Sequence, residues 1–125
     1  MTKPKIENLT HELIANVITL ALDEGSKHWY LIDNVDIETP EHYKPNKKIK
    51  YPFIDKILQG ANLEIYDVEN QDIKLGDLNE ISIERGIRAM KDEYEFAYYN
   101  ILADVYDEED ADIFLQFCVL GQYIY

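Results

Sequence analysis

The sequence predicts an α+β fold, an antiparallel sheet with a β-hairpin flanked by three to four helices, in a single domain spanning residues 1–125. Three observations predict it. Leu13, Ile14, Val17, Ile18 and Ala21 recur at helical spacing. Leu63-Glu64-Ile65-Tyr66-Asp67-Val68-Glu69 alternates apolar and acidic residues, the period-two pattern of a strand with one wet face. A chain of 125 residues that is 46% hydrophobic is also long and apolar enough to bury one core.

The elements follow in order. Thr10 reads as the N-cap of the first helix, its side-chain oxygen satisfying a free N–H of the first turn, and Gly25 closes that helix. Residues 29–37 are aromatic and β-branched and predict a strand. Residues 38–52 hold Pro40, Pro45 and Pro52 with Lys44, Lys47, Lys48 and Lys50, a loop carrying the one basic cluster of the chain. A short helix is expected over Phe53–Leu58, ending at Gly60. The strand from Leu63 turns at Asn70-Gln71 and returns through Asp72-Ile73-Lys74-Leu75, giving the hairpin. Ser82 is an N-cap candidate for a helix through Ile83, Ile87, Met90 and Tyr94; Phe96–Leu102 is a second helix or its continuation. Asp107-Glu108-Glu109-Asp110 opens the last helix, where acids suit the positive end of the helix dipole, and Gly121 stops it. Tyr123-Ile124-Tyr125 ends the chain as an edge strand or a contact with a neighbour.

Charge bounds the function. The net charge is −13, and sixteen acids face four bases over residues 63–125. No base follows Lys91. Such a surface repels nucleic acid and anionic lipid and attracts basic partners. Neither a secretory leader nor a membrane span is visible, so a cytoplasmic location is expected. Signatures of chemistry fail on inspection. His11-Glu12 begins like a zinc-protease motif, but the second histidine would fall on Ala15. The acids at 107–112 lack the spacing of a calcium loop and read as a solvated face. Cys118 lies in an apolar run and reads as core. No catalytic residue, metal site or cofactor is expected, and the chain reads as a binder rather than an enzyme.

Two constellations remain as candidate binding residues. Arg85 and Arg88, the sole arginines among ten lysines, lie three apart on one helix face. Their planar forks suit phosphate, or they form surface salt bridges with neighbouring acids such as Glu84 and Asp92. Trp29 and Tyr30 follow the turn at Gly25-Ser26-Lys27-His28; they form either a stacking platform for a purine or a core hub. The ten tyrosines suit interfaces and pockets, or cap the core at its edge.

The stretch Leu20-Ala21-Leu22-Asp23-Glu24-Gly25-Ser26-Lys27-His28-Trp29-Tyr30, together with Asp110-Ala111-Asp112-Ile113-Phe114-Leu115-Gln116 and Leu120-Gly121-Gln122-Tyr123-Ile124-Tyr125, resembles a pattern of small phage and prophage proteins. Within that set it is similar to the anti-Thoeris sponge family of the first-described type. It departs from the pattern at Glu24, in place of a second glycine, at Leu120, in place of an aromatic residue, and in lacking a glycine after Tyr125. The resemblance implies a non-catalytic anti-defence protein. Such a protein sequesters cyclic ADP-ribose signals, and in some members cyclic oligonucleotides, as a homo-oligomer with no direct nucleic-acid or membrane partner. Under that implication Trp29 or a tyrosine stacks on the base, Arg85 and Arg88 neutralise phosphates, and Asp112 or Gln116 meets ribose hydroxyls. The alternative from the charge alone is an acidic DNA mimic that inhibits a nucleic-acid-binding defence or regulatory enzyme.

Overall fold

The computed structural model describes residues 5–25, 29–32 and 37–125. It opens with a hairpin that period-based reading misses. Strand β1 (Lys5–Ile6) pairs antiparallel with β2 (Leu9–Thr10). The two residues between them, Glu7 and Asn8, both take positive φ, at 48° and 69°. That is the backbone a two-residue turn needs to match strand twist, and asparagine tolerates it better than glutamate does.

Thr10 caps helix α1 (His11–Leu20) as expected, its Oγ1 accepting from Leu13 N–H at 3.1 Å. Instead of running evenly to Gly25, the helix widens into one π-helical turn, Ala21–Gly25. Asp23 in that turn accepts from the Tyr51 hydroxyl at 2.6 Å and from Lys50 Nζ at 3.0 Å, so the turn is tied to the loop entering α2 (Pro52–Leu58). The expected strand over 29–37 is short among the described residues: β3 is Tyr30–Leu31, and residues 33–36 lie outside the description.

Strands β4 (Leu63–Asp67) and β5 (Lys74–Leu78) form the predicted hairpin, and β3 joins on the far side of β4 to give an antiparallel sheet in the order β3-β4-β5. The register shifts between Ile65 and Tyr66, where β5 holds Leu75 as an extra residue.

Asn79, not Ser82, is the N-cap of α3 (Glu80–Glu93). The two residues still act together: Asn79 Oδ1 accepts from Ser82 N–H at 2.8 Å and Ser82 Oγ accepts from Asn79 N–H at 2.9 Å, a reciprocal capping box. Tyr94 breaks the segment, and α4 (Glu95–Leu102) follows as a separate helix. Helix α5 (Glu108–Leu120) is capped by Asp107 and stopped by Gly121 in the left-handed region, φ +77°.

The core is one cluster with α5 at its centre. Every residue from Asp110 to Val119 is buried, with α1, α3, α4, the π turn and β5 packed around it. The acids at 107–112 are therefore not one solvated face. Asp107, Glu108 and Glu109 are exposed, whereas Asp110 and Asp112 go inside, 6% and 7% exposed. Asp110 stays satisfied because its Oδ2 accepts from Asn100 Nδ2 at 3.1 Å and from Asp107 N–H at 3.2 Å. Among the described residues no helix is long and apolar enough to cross a membrane.

Candidate functional site

Four of the six candidate binding residues do meet, but inside the protein. Trp29 is 1% exposed and Gln116 is fully buried. The Trp29 indole N–H donates to Asp112 Oδ1 at 2.8 Å, and the Gln116 amide donates to Asp112 Oδ2 at 2.9 Å. Gln116 Oε1 accepts from the backbone N–H groups of Ile124 and Tyr125 at 3.0 and 2.8 Å. The Tyr125 ring then stacks on Trp29, with centroids 5.8 Å apart and planes 8° from parallel. Tyr30 meets the same indole edge-on at 4.9 Å.

The reading of Trp29 and Tyr30 as an open stacking platform is thus corrected: the indole is spent on the core and on the chain's own tail. Asp112 and Gln116 are corrected in the same way, because their polar atoms fasten Trp29 and residues 124–125. The tail is not an edge strand; Tyr123 packs edge-on against Tyr94, with centroids 5.2 Å apart. Burial, with the charges of Asp112 and Asp23 behind it, pushes the Tyr30 phenol well above its ordinary value. Residues 26–28 of the turn lie outside the described residues.

Arg85 and Arg88 are both exposed on α3. The Arg88 fork is engaged along one edge. Its Nε donates to Glu7 Oε1 and its terminal nitrogen to Glu84 Oε1, each at 2.6 Å. Glu7 is the strained tip of the β1–β2 hairpin, and its carbonyl accepts from the Tyr98 hydroxyl at 3.4 Å. Arg88 therefore ties the hairpin tip to α3 and forms the surface salt bridge with Glu84 that the sequence offers as the alternative to a phosphate grip. Arg85 makes no ion pair among the described residues, and its charge reaches the buried Cys118 thiol. Burial pushes that thiol far above its ordinary value, so Cys118 is a packing residue.

A second constellation escaped the sequence. Asp55 on α2 is 3% exposed, yet it organises the loop before the helix. Its Oδ2 accepts from the Tyr43 hydroxyl at 2.9 Å and from Asn46 N–H at 2.8 Å, and its Oδ1 accepts from Gln59 Nε2 at 2.9 Å. Gln59, one turn later, pairs with the Lys44 backbone in both directions, each bond 2.9 Å. This frame fixes residues 43–46 beside the first turn of α1. Between them lies a cleft of about 310 Å³ lined by Thr10, His11, Glu12, Lys44, Asn46, Asp55 and Gln59. That volume sits at the lower end of ligand pockets, roughly 300–1,000 Å³. The i, i+4 spacing of Asp55 and Gln59 was visible in the sequence, but nothing local showed that both face a loop rather than solvent.

The cleft beside Leu20 is walled by Asp107, Glu108 and Glu109. There a hydrogen bond between the Glu108 and Glu24 carboxyls holds Glu108 above the usual carboxylate range. Crowded carboxylates make that cleft hostile to phosphate. Among the described residues no group of three or more His, Cys, Asp or Glu side chains is arranged to hold a metal ion.

No family model matches this chain, and no curated protein or solved structure matches it.

Proposed function

We propose that this protein is a non-catalytic anti-defence protein that binds and sequesters a cyclic nucleotide signal, a cyclic ADP-ribose isomer or a small cyclic oligonucleotide, as a homo-oligomer. The observation that carries the reading is the preformed cleft between α1 and α2. Its frame of Asp55 and Gln59 holds the loop in place before any ligand arrives, which lowers the ordering cost of binding. Lys44 and His11 line the cleft beside Glu12 and an Asp55 whose oxygens are taken by the frame, and the first turn of α1 borders it. A helix N-terminus with an ammonium group nearby suits a phosphate. Asn46 Nδ2 can donate to a base edge, its Oδ1 already accepting from Lys48 N–H at 3.0 Å. A cleft at the lower end of the ligand-pocket range encloses part of such a ligand, and on this reading a second copy of the chain covers the rest. The resemblance of residues 20–30, 110–116 and 120–125 to the sponge family supports the same reading.

The test is thermal unfolding against a panel of cyclic ADP-ribose isomers and cyclic oligonucleotides, followed by mass spectrometry of the recovered ligand. One ligand at a hundredfold excess over its dissociation constant stabilises by about 2.7 kcal/mol, a rise of roughly 10 °C for a chain of this size. Lys44→Ala and His11→Ala should reduce the rise, and the ligand should return intact. Cleavage of the ligand would make the protein an enzyme. No shift across the panel would defeat the proposal, and tight, salt-sensitive binding to a basic DNA-binding enzyme would establish the acidic mimic in its place.

A further inference from the structure

Helix α4 is apolar on both sides. Its inner face, Ala97, Tyr98 and Ile101, is buried in the core. Its outer face presents Phe96, Tyr99 and Leu102, at 77%, 53% and 40% exposure, each three residues after the last. Val105, just beyond the helix, is 68% exposed. A helix that is apolar all round is ordinarily covered all round. Single exposed apolar residues need no explanation, but three at helical spacing, with exposed Val105 three residues further on, make the kind of patch that marks a partner surface.

The rim of the stripe selects the partner. Glu93 and Glu95 stand exposed at one end and Asp104 at the other. The last cation of the chain, Lys91, sits over the Tyr98 ring at 5.5 Å. A second copy docked through the same face would set these acids against their own images, so self-pairing is electrostatically opposed. The chain's basic loop is a poor occupant too. Lys44, Lys47 and Lys48 offer charge there, but the large apolar residue among them, Ile49, is buried.

We infer that the outer face of α4 docks a basic amphipathic helix of another protein. The partner's apolar side chains cover Phe96, Tyr99, Leu102 and Val105, and its Lys or Arg residues meet Glu93, Glu95 and Asp104. None of these residues lines the α1–α2 cleft, so this inference stands apart from the nucleotide reading.

The test uses a fluorescent helical peptide with leucines at i, i+3, i+4 and i+7 and lysines elsewhere, beside a scrambled peptide of identical composition. The amphipathic peptide should bind the full chain at least tenfold more tightly than the scramble, by anisotropy, and more weakly as salt rises. Phe96→Asp should cost at least tenfold in affinity with the unfolding midpoint unchanged. Ile81→Asp places the same charge at a side chain 76% exposed on α3, and should leave affinity as it was. Equal binding of the scrambled peptide, or full affinity in Phe96→Asp, would overturn the inference. So would light scattering in which the chain dimerises and Phe96→Asp makes it monomeric, because a second copy would then be the occupant.

Discussion

Replacing Asp112 by alanine tests whether the carboxylate serves the fold or a ligand. In the folded chain Asp112 accepts from two buried donors, the Trp29 indole N–H and the Gln116 amide. Removing it leaves both without that acceptor in a region where Trp29 and Gln116 are at most 1% exposed. The Trp29 N–H is left unpaired, which costs about 1–3 kcal/mol, while the Gln116 amide keeps a longer bond to the Tyr125 carbonyl at 3.4 Å. Small proteins have roughly 5–15 kcal/mol in total, and the substitution therefore removes a substantial part of it. With a urea dependence of about 1–3 kcal/mol per molar, the unfolding midpoint should fall by about 1 M. Trp29 is the one tryptophan of the chain, so its fluorescence reports the transition directly, with far-ultraviolet circular dichroism as the second probe. Asp112→Asn keeps one acceptor and should lose less than the alanine variant. A residue kept for ligand binding would give the opposite pattern, a neutral or stabilising alanine variant with weakened ligand affinity. A loss below about 0.5 kcal/mol, the range of an ordinary surface change, would refute the assignment of Asp112 to the fold.

Two further outcomes are expected from packing and burial. A Cβ added at Gly86 would lie 2.6 Å from Cys118 Cα and 2.8 Å from the Phe117 carbonyl carbon, so Gly86→Ala must push α3 off α5. The gain in helix propensity, about 1 kcal/mol, should be outweighed by overpacking of about 1–3 kcal/mol or more, read as a lower urea midpoint; a stabilised variant would show that the seam yields. In alkali, Tyr30 and Cys118 keep their protons in the folded chain beyond the ordinary values of 10.0 and 9.0, at which the unfolded chain releases them. The stability they contribute is whole below pH 9 and drains as pH rises past 9–10. Unfolding free energy should therefore fall between pH 9 and 11, and Tyr30→Phe with Cys118→Ala should flatten that fall.

Local chemistry made much of the fold legible. Thr10, Asp107 and Gly121 do what their side chains and backbone freedom dictate, and the alternation from Leu63 to Glu69 marks β4 and the hairpin it begins. Failures came where a distant partner decides. The β1–β2 hairpin has two-residue strands, too short for any period, and its turn puts a glutamate at positive φ that Arg88 helps to hold from 81 residues away. Ser82 does cap, but from three residues into a box that opens at Asn79. Asp112 reads in sequence as a ligand residue and not as a core acceptor, because its donor Trp29 is 83 residues distant in sequence.

The same limit governs the candidate site. Aromatic and charged residues that stand out in sequence, Trp29, Asp112 and Arg88, are the ones the fold consumes in long-range contacts. What stays available for recognition drew little notice: a cleft built by Asp55 and Gln59 from bonds spanning four to fifteen residues, and the outer face of α4, whose sequence is merely mixed. A residue type signals capacity for a contact, and the fold decides whether that capacity is already spent. If the proposed function holds, its ligand must meet polar groups left over once the core is satisfied. That condition turns attention from Trp29 and Arg88 to Lys44, His11 and Asn46.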